Sequence, residues 1–249
     1  MKTSISTFIF VLLISGLNAQ WGDNHIKLSH NITSQTKDVS DFSELDISED
    51  FKVFLQFSDT KEEVVIETNE NLHDLVNVEK IGKTLKISTK SYSYTYDSRN
   101  DKNGSAKEKL VAYITVKELT KVKADEDVII EMQGKLYSDN LTISLNEDSE
   151  MTGELEVGNL IVKLDEDSIL DIKGSADLMD VKATEDSILK SYDFVVGDLK
   201  IFLDEDSKAK LTVNGEIDLR AKEDSYFNHK GNGSFIRKKL TGDSKIKSW

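Results

Sequence analysis

An acidic phrase recurs along the second half of this 249-residue sequence: DEDV at 125–128, NEDS at 146–149, DEDS at 165–168, TEDS at 184–187, DEDS at 204–207, KEDS at 222–225 and TGDS at 241–244. The aspartates of the first six, Asp127, Asp148, Asp167, Asp186, Asp206 and Asp224, are hard oxygen donors, and stacked carboxylates are the kind of ligand that calcium takes. The Gly-rich nonapeptide of calcium-binding β-rolls is missing, so the pattern demands no cofactor and Ca2+ is the one ion it suggests. A second group is aromatic. Tyr92, Tyr94 and Tyr96 alternate in SYSYTYDS, which puts three rings on one strand face. Such rings can stack on sugars or simply cover the flank of a fold. His25, His30, His73 and His229 stand in no metal-ligand spacing. Neither a nucleophile elbow, a P-loop nor a dinucleotide fingerprint occurs. Carboxylates repeated identically in every phrase argue for architecture, because an active site needs one distinctive constellation.

The elements that carry the phrases are legible from the columns around them. Successive aspartates are 18 to 21 residues apart, a period that signals a repeat architecture. Three residues before each one stand Ala124, Leu145, Leu164, Ala183, Leu203, Ala221 and Leu240. Five before, the column runs Val122, Ile143, Val162, Val181, Ile201 and Leu219, then breaks at Lys238. Seven before, it closes with Ile217 and Ile236. Polar columns alternate with these, so a strand with one buried face precedes each acidic corner. Three residues after each aspartate, apolar side chains resume, from Ile130 and Met151 to Phe227 and Ile246, which places a second strand after the corner. Short strands, sharp corners and coils of about 19–20 residues predict an all-β fold, a right-handed parallel β-helix.

Strict alternation would aim the Glu of each pair into the core. A buried, unpaired carboxylate is too costly, so the chain must bend there. Equivalent residues of neighbouring coils stack about 4.8 Å apart, and carboxylates at that spacing repel by roughly 1 kcal/mol even in water. A basic column with Lys123, Lys163, Lys182, Arg220 and Lys239 lies four residues before the aspartates and is expected to offset that repulsion.

The front of the chain is organised differently. Lys2, the apolar run Ile5 to Leu17 and the small Ala19 make a signal peptide over residues 1–19. That run is too short to span a bilayer, and no second one follows, so a mature chain without a transmembrane segment is expected outside the cytoplasm. Periplasm, outer cell surface and extracellular space all fit. Residues 20–40 read as a polar lead-in, and residues 41–249 as a single β-helix domain. Within it, residues 41–120 read as less regular opening coils and 121–249 as regular repeats. The net charge of −14 argues against non-specific nucleic-acid binding. There is no cysteine, hence no disulfide and no thiol chemistry.

The order FSELDISEDFKVFLQFSD, NLHDLVNVEKIGKTLKIST and VAYITVKELTKVKADEDVIIEMQG, followed by the repeats, resembles the head GIN domain family of auto-transporter adhesins, common in Bacteroidetes-type bacteria. The resemblance covers roughly residues 41–230 and rests on a distributed pattern. It implies an exported β-helical envelope protein, and it offers no family binding residues to carry over. Where the family's corner has a small residue before Asp, this chain has Glu. The expectation is therefore a non-enzymatic adhesin or surface-interaction scaffold whose partners are surface glycans or envelope proteins. Two alternatives stand beside it. One is a carbohydrate-binding or carbohydrate-active β-helix, with Tyr92, Tyr94 and Tyr96 as contact residues. The other is a calcium-stabilised structural module.

Overall fold

A computed structural model of the chain describes residues 25–94 and 106–248. The architecture is the expected one, a β-solenoid of about 7 turns. Each regular coil consists of two parallel strand stretches joined at the acidic corner. In Glu150–Leu164 and Ile169–Ala183 one continuous strand runs from just after one corner to just before the next. The stacking is residue on residue: Leu160 lies beside Met179, Val162 beside Val181, and Leu164 beside Ala183. These inward columns are fully buried and form one apolar cluster from Leu28 to Phe227. Burial alternates along each half of the strand, with a break at Gly158–Asn159, which is why period-two reading of the sequence succeeds on either side of it.

The front of the solenoid is built in an order that the chain does not announce. Glu44–Ser48 and Lys52–Phe57 form a coil as regular as the later ones, turned at Glu49–Asp50. The chain then leaves the solenoid. Glu63–Asn69 runs antiparallel to both Ile32–Lys37 and Leu110–Val116, and Val76–Ile81 forms a hairpin with Thr84–Thr89. Thr84–Thr89 and Leu110–Val116 add one more parallel layer beneath the first coil. Only then does Lys121–Asp125 return, on the opposite side of Glu44–Ser48, with Val122 beside Leu45 and Ala124 beside Ile47. The antiparallel strands close this end of the solenoid, where an open edge of parallel strands would otherwise offer unpaired N–H and C=O groups.

At the other end one expected column is corrected. Ile236 was placed among the inward residues, but it is 62% exposed. Ile217 pairs with Phe235 and Asp218 with Arg237, so Ile236 is the extra residue of a β-bulge. Phe235 takes the inward place instead and packs against the core.

Candidate functional site

The acidic corner is a turn with an unusual backbone. At Glu166 and Asp167 φ is +47° and +58°, and the same pair of signs recurs at Glu126–Asp127, Glu147–Asp148, Glu185–Asp186 and Glu205–Asp206. Two successive left-handed residues, with the Ser168 N–H donating to the Asp165 carbonyl at 3.3 Å, give the φ signs and hydrogen bond of a type I′ turn. Such turns favour Asn-Gly, because left-handed backbone costs an L-residue roughly 1–2 kcal/mol. Asp is tolerant of it and Glu is not, so Glu is the strained member. What holds it is the stack itself. The Asp148 N–H donates to the Glu166 carbonyl at 3.0 Å, and the Asp167 N–H to the Glu185 carbonyl at 2.9 Å. The serine that follows turns inward and is buried in each coil from Ser149 to Ser225. Ser168 and Ser207 use their hydroxyls to accept from the backbone N–H groups of Asp165 and Asp204, both at 3.1 Å.

This turn resolves the problem posed by alternation, since both carboxylates of each pair from Glu126–Asp127 to Glu205–Asp206 end up in solvent. Six Glu–Asp pairs, from Glu49–Asp50 to Glu205–Asp206, line one open groove of about 870 Å³. Asp127, Asp148, Asp167, Asp186 and Asp206 are thus brought together as a ladder. Asp224 occupies the matching place in the next turn, where Glu223 has positive φ and Asp224 does not. Reading the sequence from Asp127 missed the first rung. Its signal was available, for in LDISEDFKV the apolar Leu45, Ile47 and Val53 stand five before, three before and three after Asp50. Phe51 replaces the buried serine there.

The expected lysine compensation is not what the structure displays. Lys123 is engaged by Asp125 at 3.1 Å and Asp46 at 3.7 Å. Among the described residues, no ion pair joins a Lys or Arg to a corner pair between Glu126 and Asp206. The basic column points outward from the flat strand face and the carboxylates project from the turn, so one strand step does not bring them together. The ladder is accordingly left repulsive. Desolvation, then Glu147 and Glu185, pushes the Glu166 carboxyl above the ordinary range. Desolvation, then Glu185 and Glu223, does the same to Glu205. Glu126 is raised by desolvation and then by Glu49 and Glu147. Among the described residues no three His, Asp or Glu side chains converge as a metal-ligand set.

The tyrosines sit at the head of this groove. Tyr92 and Tyr94 lie 6.3 Å apart, and both hydroxyls turn to Glu108; Tyr94 donates to it at 3.3 Å. Burial, reinforced by the bond to Glu108, raises the Tyr92 phenol strongly. Tyr92 packs on the core, whereas Tyr94 is exposed. Tyr96 lies outside the described residues. Asp50 belongs both to the acidic groove and to a hollow of about 570 Å³ lined by Tyr94, Lys107, Glu108 and Leu110. Desolvation, then Asp127 and Glu108, raises the Asp50 carboxyl. Glu108 is a second residue that sequence reading did not single out. Nothing in its immediate sequence distinguishes it, because only the fold brings it under the two hydroxyls.

The fold is a β-solenoid whose corner presents a continuous acidic ladder. The chain belongs to the family described as "Putative auto-transporter adhesin, head GIN domain", whose model matches residues 41–233. The fold is similar to a crystal structure of a "putative adhesin" from Bacteroides fragilis, with TM-score 0.73 and 19% identity over 90% of this chain and 100% of that one. Another, from Parabacteroides merdae and described in the same words, has TM-score 0.65 and 17% identity over 91% and 99% of the two chains. A "putative lipid binding protein" from Parabacteroides distasonis has TM-score 0.72 and 15% identity over 91% and 100%. No curated protein matches the sequence. No described helix is long and apolar enough to cross a membrane.

Proposed function

We propose that this protein is an exported, non-enzymatic adhesin of the cell envelope, a rigid scaffold that presents one long flank to its partners. The observation that carries this reading is the repetition of the corner. Six successive Glu–Asp pairs share one backbone geometry and one groove, which is how a surface makes many equivalent weak contacts and not how it assembles an acid, a base and a nucleophile. Family membership supports it, and the amino-terminal pattern of Lys2, Ile5 to Leu17 and Ala19 supports export.

Beside these repeated contacts, one distinct contact point lies where the repetition breaks, at the head of the groove. Tyr94 offers an exposed ring beside Asp50 and Glu108, a combination suited to the stacked face and hydroxyl groups of a surface glycan. The chain from Gln20, immobilised and presented with an array of polysaccharides, is the test. Saturable retention that falls on Tyr94→Ala, without release of reducing ends or unsaturated sugars, is the expected result. Turnover of any polysaccharide would replace the adhesin with a carbohydrate-active enzyme.

A further inference from the structure

The acidic body of this protein ends in a basic tip. Residues 230–249 contain six Lys or Arg and one acidic residue, in a chain whose net charge is −14. The structure gathers five of these charges on the last described coil, Ser234–Leu240 and Lys245–Ser248, which stacks on the coil below and pairs with no further strand among the described residues. Lys238 occupies the inward column that holds Val, Ile or Leu in every preceding coil, yet it is exposed. Lys238, Lys239 and Lys245 form no ion pair among the described residues. Apolar side chains stand among them. Leu240 is 37% exposed, and Phe235 and Ile246 cap the core only partly covered, whereas the bulge turns Ile236 onto the flank beside Ile161 and Leu178.

We propose that this terminal coil docks end-on to an anionic phospholipid surface, so that the solenoid stands away from the bilayer. Exposed aliphatic side chains ringed by lysines match the chemistry of such an interface, where apolar groups enter at headgroup level and cations meet the phosphates. The remainder of the chain is strongly acidic, and the same field that attracts the tip repels the ladder over a range of about a Debye length. Attraction at one end and repulsion along the flank select the upright orientation. Tip on tip of a second copy opposes lysine to lysine, and the opposite end is already closed by antiparallel strands.

Co-sedimentation of the chain from Gln20, which contains every described element, with vesicles tests the proposal. The wild type is expected to pellet with vesicles of equal parts phosphatidylcholine and phosphatidylglycerol, and to stay in solution with phosphatidylcholine alone. Exchange of Lys238, Lys239 and Lys245 for Glu is expected to reduce partitioning about tenfold or more. The milder exchange for Gln should reduce it less. A charge-matched control, Lys173→Glu with Lys190→Glu and Lys208→Glu on the exposed flank, should bind like the wild type. Circular dichroism and the unfolding midpoint establish that each variant is folded. Equal loss in the control, persistent binding of the tip variants, or no partition onto anionic vesicles overturns the proposal. So does release by inorganic phosphate at constant ionic strength, which would make the tip a phosphate site.

Discussion

The backbone N–H of Asp50 donates to the carbonyl of Glu126 at 3.0 Å, joining two corners that the chain separates by a complete excursion through the antiparallel end. The bond has the same donor and acceptor roles as the links between Asp127 and Glu147 and between Asp186 and Glu205. The acidic ladder is therefore one continuous column from Asp50 onward, held by its backbone and not by its side chains. Its charge is a cost that the stacked turns sustain.

That cost sets a pH dependence. The raised carboxyls of Glu126, Glu166 and Glu205 bind protons more tightly in the folded protein than in the unfolded chain. Their contribution to stability is present at low pH and is lost as the pH rises through the raised values. Glu126→Gln with Glu166→Gln and Glu205→Gln should raise the thermal midpoint at pH 7. The difference from wild type should shrink as the pH falls below about 4, where wild-type carboxylates are protonated as well. An equal midpoint at pH 7 would mean that the repulsion is screened away.

Charge and backbone strain can be separated at one corner. Glu166→Gln removes the charge and keeps a side chain ill suited to φ +47°. Glu166→Asn removes the charge and also supplies a residue that tolerates left-handed backbone. The Asn variant should melt higher than the Gln variant in the same buffer. Identical midpoints would show that the stacked turn imposes no strain on Glu.

His229 predicts the opposite pH trend. It is buried, stacked on Phe227 at 5.4 Å and edge-on to Phe235 at 5.3 Å. Neither ring nitrogen has a hydrogen-bond partner among the described residues. Burial holds its pKa below the ordinary 6.5, opposed by the Lys230 backbone and aided by the charge of Lys238. The unfolded chain thus takes up the proton first, and stability present above about pH 6.5 is lost as the pH falls below it. His229→Phe should flatten the fall between about pH 6.5 and 5. Hydrogen exchange in residues 226–248 would localise the effect, and a variant as acid-sensitive as wild type would refute it.

Gly174 tests the corner opposite the ladder. Its φ is +112°, and a Cβ there would strike the Leu155 carbonyl oxygen of the coil below. Gly174→Ala should cost about 2–4 kcal/mol, measured by denaturant unfolding. Gly153→Ala should cost less, because its Cβ would meet the flexible Met132 side chain at a backbone angle that alanine can adopt. A reversed order would contradict the assigned coil register.

Divalent cations distinguish a shared field from a specific site. With no converging ligand set among the described residues, calcium and magnesium should raise the thermal midpoint by equal amounts at fixed ionic strength, through non-specific accumulation of divalent counter-ions along the ladder. A rise of many degrees with calcium alone would make the aspartate ladder a calcium site.

The period, the strand faces and the position of each corner were legible because they follow from local physics. Alternation of Val162 and Leu164 with Lys163 gives a strand, and a Glu that cannot be buried gives a bend. The same reasoning placed Asp127 to Asp206 in one column. What the sequence did not carry was every relation that depends on how the chain returns upon itself. The columns around Glu49–Asp50 were in the sequence, but its place next to Glu126–Asp127 was not, because an excursion breaks the period, and Glu108 became part of the tyrosine cluster only through the antiparallel end. The lysine column failed as a counter-charge because strand and turn project side chains in different directions, which no spacing encodes. The bulge at Ile236 is a register shift between the last two described coils that the sequence pattern does not announce. Local alternation determines which residues face inward; contacts between coils decide which surfaces meet.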